Sequence, residues 1–404
     1  MKLSEELAWR GFVNQTTYQD IKSLDEAPIS FYIGVDPSSD SMTIGNLAAI
    51  MMVRHFIDHG HKAYMLVGGA TGMIGDPDGK SSERNVLSVE AISKNKAAIA
   101  SQYQQILSGK EFTVVDNYDW FKDINYIDFL HDVGKYVPMS GMLGRDFVKS
   151  RLGIEGSGIS YAEFSYSLIQ GYDFVHLFKD FGVTLQLCGA DQWGNSITGV
   201  DLIRKLEGKE AHVYSTPLVV NKSTGAKFGK SEGGAIWLDS SKTSVYKFYQ
   251  FWLNSDDVGV IDYLKLFTLL DKEKVEELAK QTIENPGERF AQKSLAHEVT
   301  VIVHGQNRTE SVERVIDVLF GGADFNTLSP EDIEALANEI PSSSVGKSLI
   351  EILVETNLAS SNGDARRLIE SCAISVNSNK VDNDQKINQS SLIKKGKNNF
   401  VLVR

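Results

Sequence analysis

The chain has 404 residues, 53 Asp or Glu against 41 Lys or Arg, a formal net charge of −12, and 42% hydrophobic residues. That content supports sizeable cores and excludes a disordered chain, and the acidic total argues against a protein that coats nucleic acid through bulk charge. Two cysteines, Cys188 and Cys372, exclude a disulfide scaffold and fit a reducing, cytoplasmic compartment. The opening MKLSEELAWRGF lacks the apolar core of a signal peptide, and no apolar run approaches the ~20 residues of a membrane span, so no membrane partner is expected. The charge is uneven. From Pro341 to Arg404 there are nine Lys or Arg and six Asp or Glu, a local +3, which leaves −15 on the first 340 residues. A basic tail of this kind can mark a nucleic-acid-binding piece or a solvated surface.

In chain order, SFYIGVD (30–36) is rich in β-forming residues and reads as a buried strand, followed by the turn residues Pro37, Ser38, Ser39 and Asp40. Leu47, Ile50, Met51, Val53, Phe56 and Ile57 then recur at helical spacing, and Gly60 is placed to end that helix. KAYMLV (62–67) reads as a second strand running into a glycine-rich loop. Strand, helix, strand in about forty residues is a βαβ unit and implies a parallel sheet. Residues 88–109 read as an amphipathic helix, and 112–190 hold mixed helical stretches, including 162–178. Residues 183–195 read as a strand entering a polar loop, 216–239 as a Gly/Lys/Ser-rich loop, and 243–320 as successive helices. Residues 321–332 and 340–346 read as linkers.

Three motifs could carry chemistry. Asp36 to Asn46 joins the first strand to its helix, where open α/β sheets bind ligands, and the helix start offers N–H groups to an anion such as phosphate. Gly45 there would let a flat ring approach the backbone. The second motif, GGATGMIGDPDGK (68–80), superficially matches a dinucleotide-binding loop. That fingerprint needs an acidic residue closing a following strand, and the residues after it are polar and helical instead. The third, KFGKS (227–231), places two lysines three apart beside a glycine, which can close over a polyphosphate. His55, His59 and His61 are spaced like metal ligands but lie at a helix end without neighbouring cysteines, so no metal site is expected.

Thr43-Ile44-Gly45-Asn46 after the first strand, GDPDGK after the second, then EFSYSLIQGYDF, GADQWGN and KFGKS together resemble the bacterial tyrosyl-tRNA synthetases, a class I aminoacyl-tRNA synthetase family. The resemblance runs essentially the whole length, and NGDARRLIESCAISVNSNKV (362–381) resembles an S4-like RNA-binding module. It implies an α/β fold: a Rossmann-like parallel-sheet catalytic domain with a connective insertion (1–220), then the KFGKS loop and an α-helical domain (221–325), then a small α+β S4-like RNA-binding domain (340–404). It also implies a homodimer acting on L-tyrosine, ATP with Mg²⁺ as its substrate complex, and tRNA(Tyr).

By this resemblance, Tyr32 and Asp173 would bond the phenolic hydroxyl of tyrosine, and Asp76, Tyr166 and Gln170 its ammonium. Gly189, Asp191 and Gln192 would meet the ribose and the reacting carboxylate, and Gly34, Asp36, Ser38 and Gly45 would line the nucleotide site. Thr43, Asn46, Lys80, Arg84, Lys227, Lys230 and Ser231 would handle the phosphates. One feature supports this independently: Tyr166, Gln170 and Asp173 follow i, i+4, i+7 spacing, so a helix puts all three on one face.

Overall fold

The computed structural model describes residues 1–77, 87–153, 156–226, 230–231 and 234–404, without the side chains of Asp146, Phe147, Lys230 and Ser231. Its largest sheet has six strands: β1 (Gln15–Thr16), β2 (Ser30–Val35), β3 (Lys62–Val67), β4 (Phe112–Asp116), β5 (Val183–Gly189) and β6 (His212–Thr216). Their order is β1-β6-β5-β2-β3-β4. Every neighbouring pair is parallel except β1 with β6. Burial explains which strands the sequence reveals. Ala63–Val67 of β3 are all buried and form a continuous apolar run. β4 is an edge strand with Thr113 and Val114 exposed, so it carries no clear pattern and lies within a stretch expected to be helical. β6 was likewise not expected.

The order reverses between β2 and β5, because the chain leaves β2 for β3 on one side while β5 pairs on the other. Loops diverge at such a point and leave a crevice at the strands' carboxyl ends. The Ile44–Asp58 helix follows β2 and buries Leu47, Ile50, Met51, Val53 and Phe56. The glycine-rich loop after β3 is itself helical over Gly69–Ile74. A Cβ on Gly68 would lie 2.6 Å from the Asp36 carboxylate, so glycine there serves close packing against the β2 loop.

The helix Tyr161–Phe181 starts with a capping box. Ser160 Oγ accepts from Glu163 N at 3.3 Å, and Glu163 Oε2 accepts from Ser160 N at 3.5 Å. It buries Tyr166, Leu168, Asp173, Phe174 and Leu177. Between β4 and this helix lie short helices, among them Tyr118–Phe121, Tyr126–Asp132, Met139–Leu143 and Asp146–Leu152. The three clustered histidines are each engaged. His55 Nδ1 lies 3.2 Å from Glu6 Oε1, His59 Nδ1 lies 2.8 Å from the His55 carbonyl, and His61 Nδ1 accepts from Ile29 N. Burial pushes the His55 pKa down, so a positive charge against the helix end is not its role.

The chain divides into two compact units, Met1–Thr243 with Phe251–Val303, and Ser244–Gln250 with His304–Arg404. The six-stranded sheet belongs to the first. The second holds a five-stranded sheet in which Ile374–Val376, Ser391–Lys395 and Asn399–Val403 are antiparallel neighbours. Leu349, Ile352, Ala365, Ile369, Ile393 and Val401 form its core. Residues 321–332, expected as a linker, are packed instead. Phe325 and Leu328 join Val315, Leu319, Leu336 and Leu402 in a buried cluster.

Candidate active site

The crevice between β2 and β5 opens into a cavity of about 400 Å³, inside the first unit. Tyr32, Gly34 and Asp36 reach it from β2 and its loop, and Ser38, Thr43, Gly45 and Asn46 from the turn and helix start. Tyr166, Gln170 and Asp173 line it from one helix face, as their spacing requires, and Asp76, Gly189, Asp191 and Gln192 complete the set. Every expected tyrosine- or nucleotide-site residue with a described side chain therefore borders one cavity. Lys80, Arg84 and Lys227 lie outside the described residues. Lys230 and Ser231 form a short strand, β7, paired with β8 (Gly234–Ala235).

Asp173 is the most constrained group. It is 1% exposed, its Oδ1 accepts from Trp120 Nε1 at 3.0 Å, and its Oδ2 accepts from Asn117 Nδ2 at 3.1 Å. Complete burial pushes its pKa well above the usual carboxylate range, against the two donors that favour the ion. Burial also raises the Tyr32 phenol, with the Asp173 charge adding to it, so Tyr32 stays protonated. Tyr166 Oη donates to Asp36 Oδ2 at 2.8 Å, and Gln192 Nε2 to Asp76 Oδ2 at 2.5 Å.

The cavity has unmet polar demand. Tyr32 Oη, Gln170 Oε1, Gln186 Oε1 and Thr216 Oγ1 are buried without a hydrogen-bond partner among the described residues, and all four residues line it. Native proteins rarely leave such atoms unpaired, so several here in one cavity point to a polar ligand. Gly45 points the same way. A Cβ there would meet only Thr43 Oγ1, at 3.4 Å, so packing within the protein does not demand glycine.

At the helix start, Asn46 Oδ1 accepts from both Thr43 N (3.0 Å) and Thr43 Oγ1 (3.2 Å), which leaves the Asn46 NH₂ as donor. Ile44 N donates to the Ile236 carbonyl and Asn46 N to the Thr43 carbonyl. Of the first four N–H groups, three are thus engaged, and the expected set of open phosphate donors shrinks to Gly45 N. The Ile236 bond is informative. With Leu238 N donating to Met42 O and a β-bridge between Thr43 and Trp237, it ties the chain just beyond KFGKS to the first motif. An ion pair of Lys242 with Asp40 reinforces the tie.

Sequence reasoning missed Asn117 and Trp120, which hold Asp173, and also Thr71, Gln186 and Thr216 on the cavity wall. Asn117 and Trp120 follow the edge strand β4. Recognising that strand was the signal that could have placed DNYDW at the sheet's carboxyl end.

A parallel sheet that reverses order at its crevice, with Thr43–Asn46 at the following helix start and residues 236–238 tied back to it, fits the fold of a class I aminoacyl-tRNA synthetase. Residues 24–321 match the family model for class I tRNA synthetases (W and Y), and residues 332–404 match that of a tyrosine–tRNA ligase SYY-like C-terminal domain. The chain is 42% identical to a tyrosine–tRNA ligase of Levilactobacillus brevis, over all of this chain and 99% of that one. It is 44% identical to tyrosine–tRNA ligase 2 of Bacillus cereus, over the same shares. Among solved structures, a C-terminally truncated mitochondrial tyrosyl-tRNA synthetase of Aspergillus nidulans superposes with a TM-score of 0.71 at 28% identity. That match covers 79% of this chain and 94% of the other. The chain belongs to the tyrosyl-tRNA synthetase family.

Proposed function

We propose that this chain joins L-tyrosine to ATP as tyrosyl-adenylate, and then transfers tyrosine to the 3′-terminal adenosine of tRNA(Tyr). The observation that carries the substrate choice is the unpartnered Tyr32 Oη in the same buried cavity as Asp173. A substrate phenol accepts from Tyr32 and donates to Asp173. An indole offers only a donor and would leave the Tyr32 hydroxyl unmet. Phenylalanine leaves both groups unmet, and this family is the standard example of that kind of discrimination. Pyrophosphate exchange into ATP tested across the twenty amino acids should respond to tyrosine alone. A folded protein giving no exchange would overturn the reading.

The first step needs little proton transfer, because the tyrosine carboxylate is already a nucleophile at pH 7. It attacks the α-phosphorus and pyrophosphate leaves. Catalysis is then positioning plus stabilisation of charge on the phosphates. Asp76, Tyr166 and Gln170 would hold the ammonium. Asp36, Gly189, Asp191 and Gln192 would border the ribose and carboxylate, and Gly34, Ser38 and Gly45 the rest of the nucleotide. Thr43, Asn46, Lys80, Arg84, Lys227, Lys230 and Ser231 would meet the phosphates, with Mg²⁺ carried in as part of the ATP complex. In the second step a ribose hydroxyl of tRNA attacks the adenylate carbonyl and AMP leaves.

Lys230→Ala should lower kcat for exchange by about 10²-fold or more with little change in the tyrosine KM, because its charge acts on the transition state. An unchanged kcat would remove Lys230 from that role.

The division of labour at 1–220, 221–325 and 340–404 belongs to this reading, with the tail as the RNA contact. Arg366 is exposed on the Asn362–Glu370 helix. Arg366→Glu should weaken tRNA charging and leave pyrophosphate exchange unchanged, measured side by side. A homodimer is supported by exposed apolar side chains in the insertion, including Ile127 (66%), Met139 (61%) and Tyr161 (63%). Two unpaired cysteines support a cytoplasmic location. Among the described residues no helix is long and apolar enough to cross a membrane.

A further inference from the structure

We propose that Arg145 and Asn195 are positioning residues that fix which way the Gln192 amide faces in the tyrosine pocket. The inference rests on Gln192 belonging to that pocket. Arg145 sits between the helices Met139–Leu143 and Asp146–Leu152, in the insertion. Its Nη1 donates to Asn195 Oδ1 at 2.5 Å, Asn195 Nδ2 donates to Gln192 Oε1 at 3.3 Å, and Gln192 Nε2 donates to Asp76 Oδ2 at 2.5 Å.

The polarity of this chain is set at both ends. A guanidinium has donors only, so Asn195 must turn its oxygen toward Arg145 and its NH₂ toward Gln192. An ionised carboxylate has acceptors only, so Gln192 must turn its NH₂ toward Asp76. Each amide has two orientations of nearly equal shape, and the two ends together select one of them. The selected one presents a donor where the substrate's carboxylate arrives and keeps the amide oxygen away from Asp76. The reversed one would set that oxygen against Asp76 and the incoming carboxylate.

Arg145 is suited to this by its fork. Nη2 also donates to the Gly194 carbonyl and to Thr198 Oγ1, both at 2.9 Å, so one planar group grips the first two turns of the Trp193–Glu207 helix at three acceptors. A lysine ammonium at this place lacks the fixed planar geometry.

The decisive variant is Asn195→Asp. The new carboxylate still accepts from Arg145, with charge assistance, but cannot donate to Gln192. Gln192 must then turn its NH₂ toward that carboxylate and its oxygen toward Asp76. The expected result is a loss of about 20-fold in kcat/KM for tyrosine in pyrophosphate exchange, the size of one hydrogen bond to a charged group. The ATP KM should stay within about 3-fold and Tm should not fall, since the Arg145 contact is kept. Arg145→Lys should move the tyrosine parameters in the same direction by a smaller factor, and supplies the test if the first variant does not fold. Tyrosine kinetics within about 2-fold of wild type in both variants would overturn the proposal, as would parallel shifts in ATP KM and Tm. Wild-type exchange with tyrosine, run as the control, separates a wrong assignment of the pocket from a wrong relay.

Discussion

Asp173→Asn is expected to lower kcat/KM for tyrosine by about 10³-fold, or about 4 kcal/mol, in pyrophosphate exchange. Two losses add. The substrate hydroxyl exchanges a carboxylate acceptor for a neutral one. Asn117 Nδ2 and Trp120 Nε1 both donate to Asp173, so an amide NH₂ in place of one oxygen faces a donor with a donor. Phenylalanine gains no hydrogen bond from the carboxylate, so its weak activity should change much less and the preference for tyrosine should collapse. Stability should not follow activity. Burial raises the Asp173 pKa above its unfolded value, so this group's contribution to stability is fully present below the ordinary carboxyl range and is lost as pH rises through the raised value. Where Asp173 is ionised its buried charge opposes folding and a neutral amide relieves that, while the amide's clash with the two donors acts the other way, so Tm should change far less than activity. The same sign predicts that tyrosine KM increases as pH falls toward the raised Asp173 pKa, because a protonated Asp173 no longer accepts fully from the substrate. A loss below tenfold, with phenylalanine discrimination kept, would contradict the assigned role.

Much of this pocket was legible because its elements announce themselves. β2 is buried over Phe31–Ile33 and β3 over Ala63–Val67, so their apolar runs are legible, and the motifs at their ends inherit a known position in a parallel sheet. The 161–181 helix is long and capped at both ends, which makes the shared face of Tyr166, Gln170 and Asp173 readable from spacing. What escaped lay where local pattern fails. β4 is short and half exposed, so the Asn117–Trp120 segment beyond it had no address. Residues 321–332 have a turn-like composition, yet Phe325 and Leu328 are buried through partners distant in sequence. The pairing of Thr43 with Trp237 spans nearly two hundred residues, and no periodicity encodes it. The charge count belongs with these cases. An acidic body can bind polyanions when a few donors are placed correctly, and a total cannot record placement.

Removing one partner of the Arg151–Glu163 pair should destabilise the first unit by about 3–5 kcal/mol, read from urea unfolding. The side chains are 4% and 3% exposed, and the contact is bidentate, Nη1 to Oε1 at 2.9 Å and Nη2 to Oε2 at 2.8 Å. Arg151→Met leaves a carboxylate buried without its cation, and that uncompensated charge is the main loss. Arg151 Nε also donates to the Gly158 carbonyl at 2.7 Å, so the same substitution frees the chain leading into the 161–181 helix. Glu163 is at once the third residue of that helix's capping box, so the pair fixes the start of the element that carries Tyr166, Gln170 and Asp173. Tyrosine KM should therefore rise along with the loss of stability. The double variant Arg151→Met with Glu163→Leu removes both charges and should recover most of the stability, because a buried pair often does no better than apolar residues of similar volume. It should not recover the tyrosine KM, since the capping carboxylate is gone. Additive effects of the two substitutions on stability would contradict a coupled buried pair, and the double-mutant cycle measures that coupling directly.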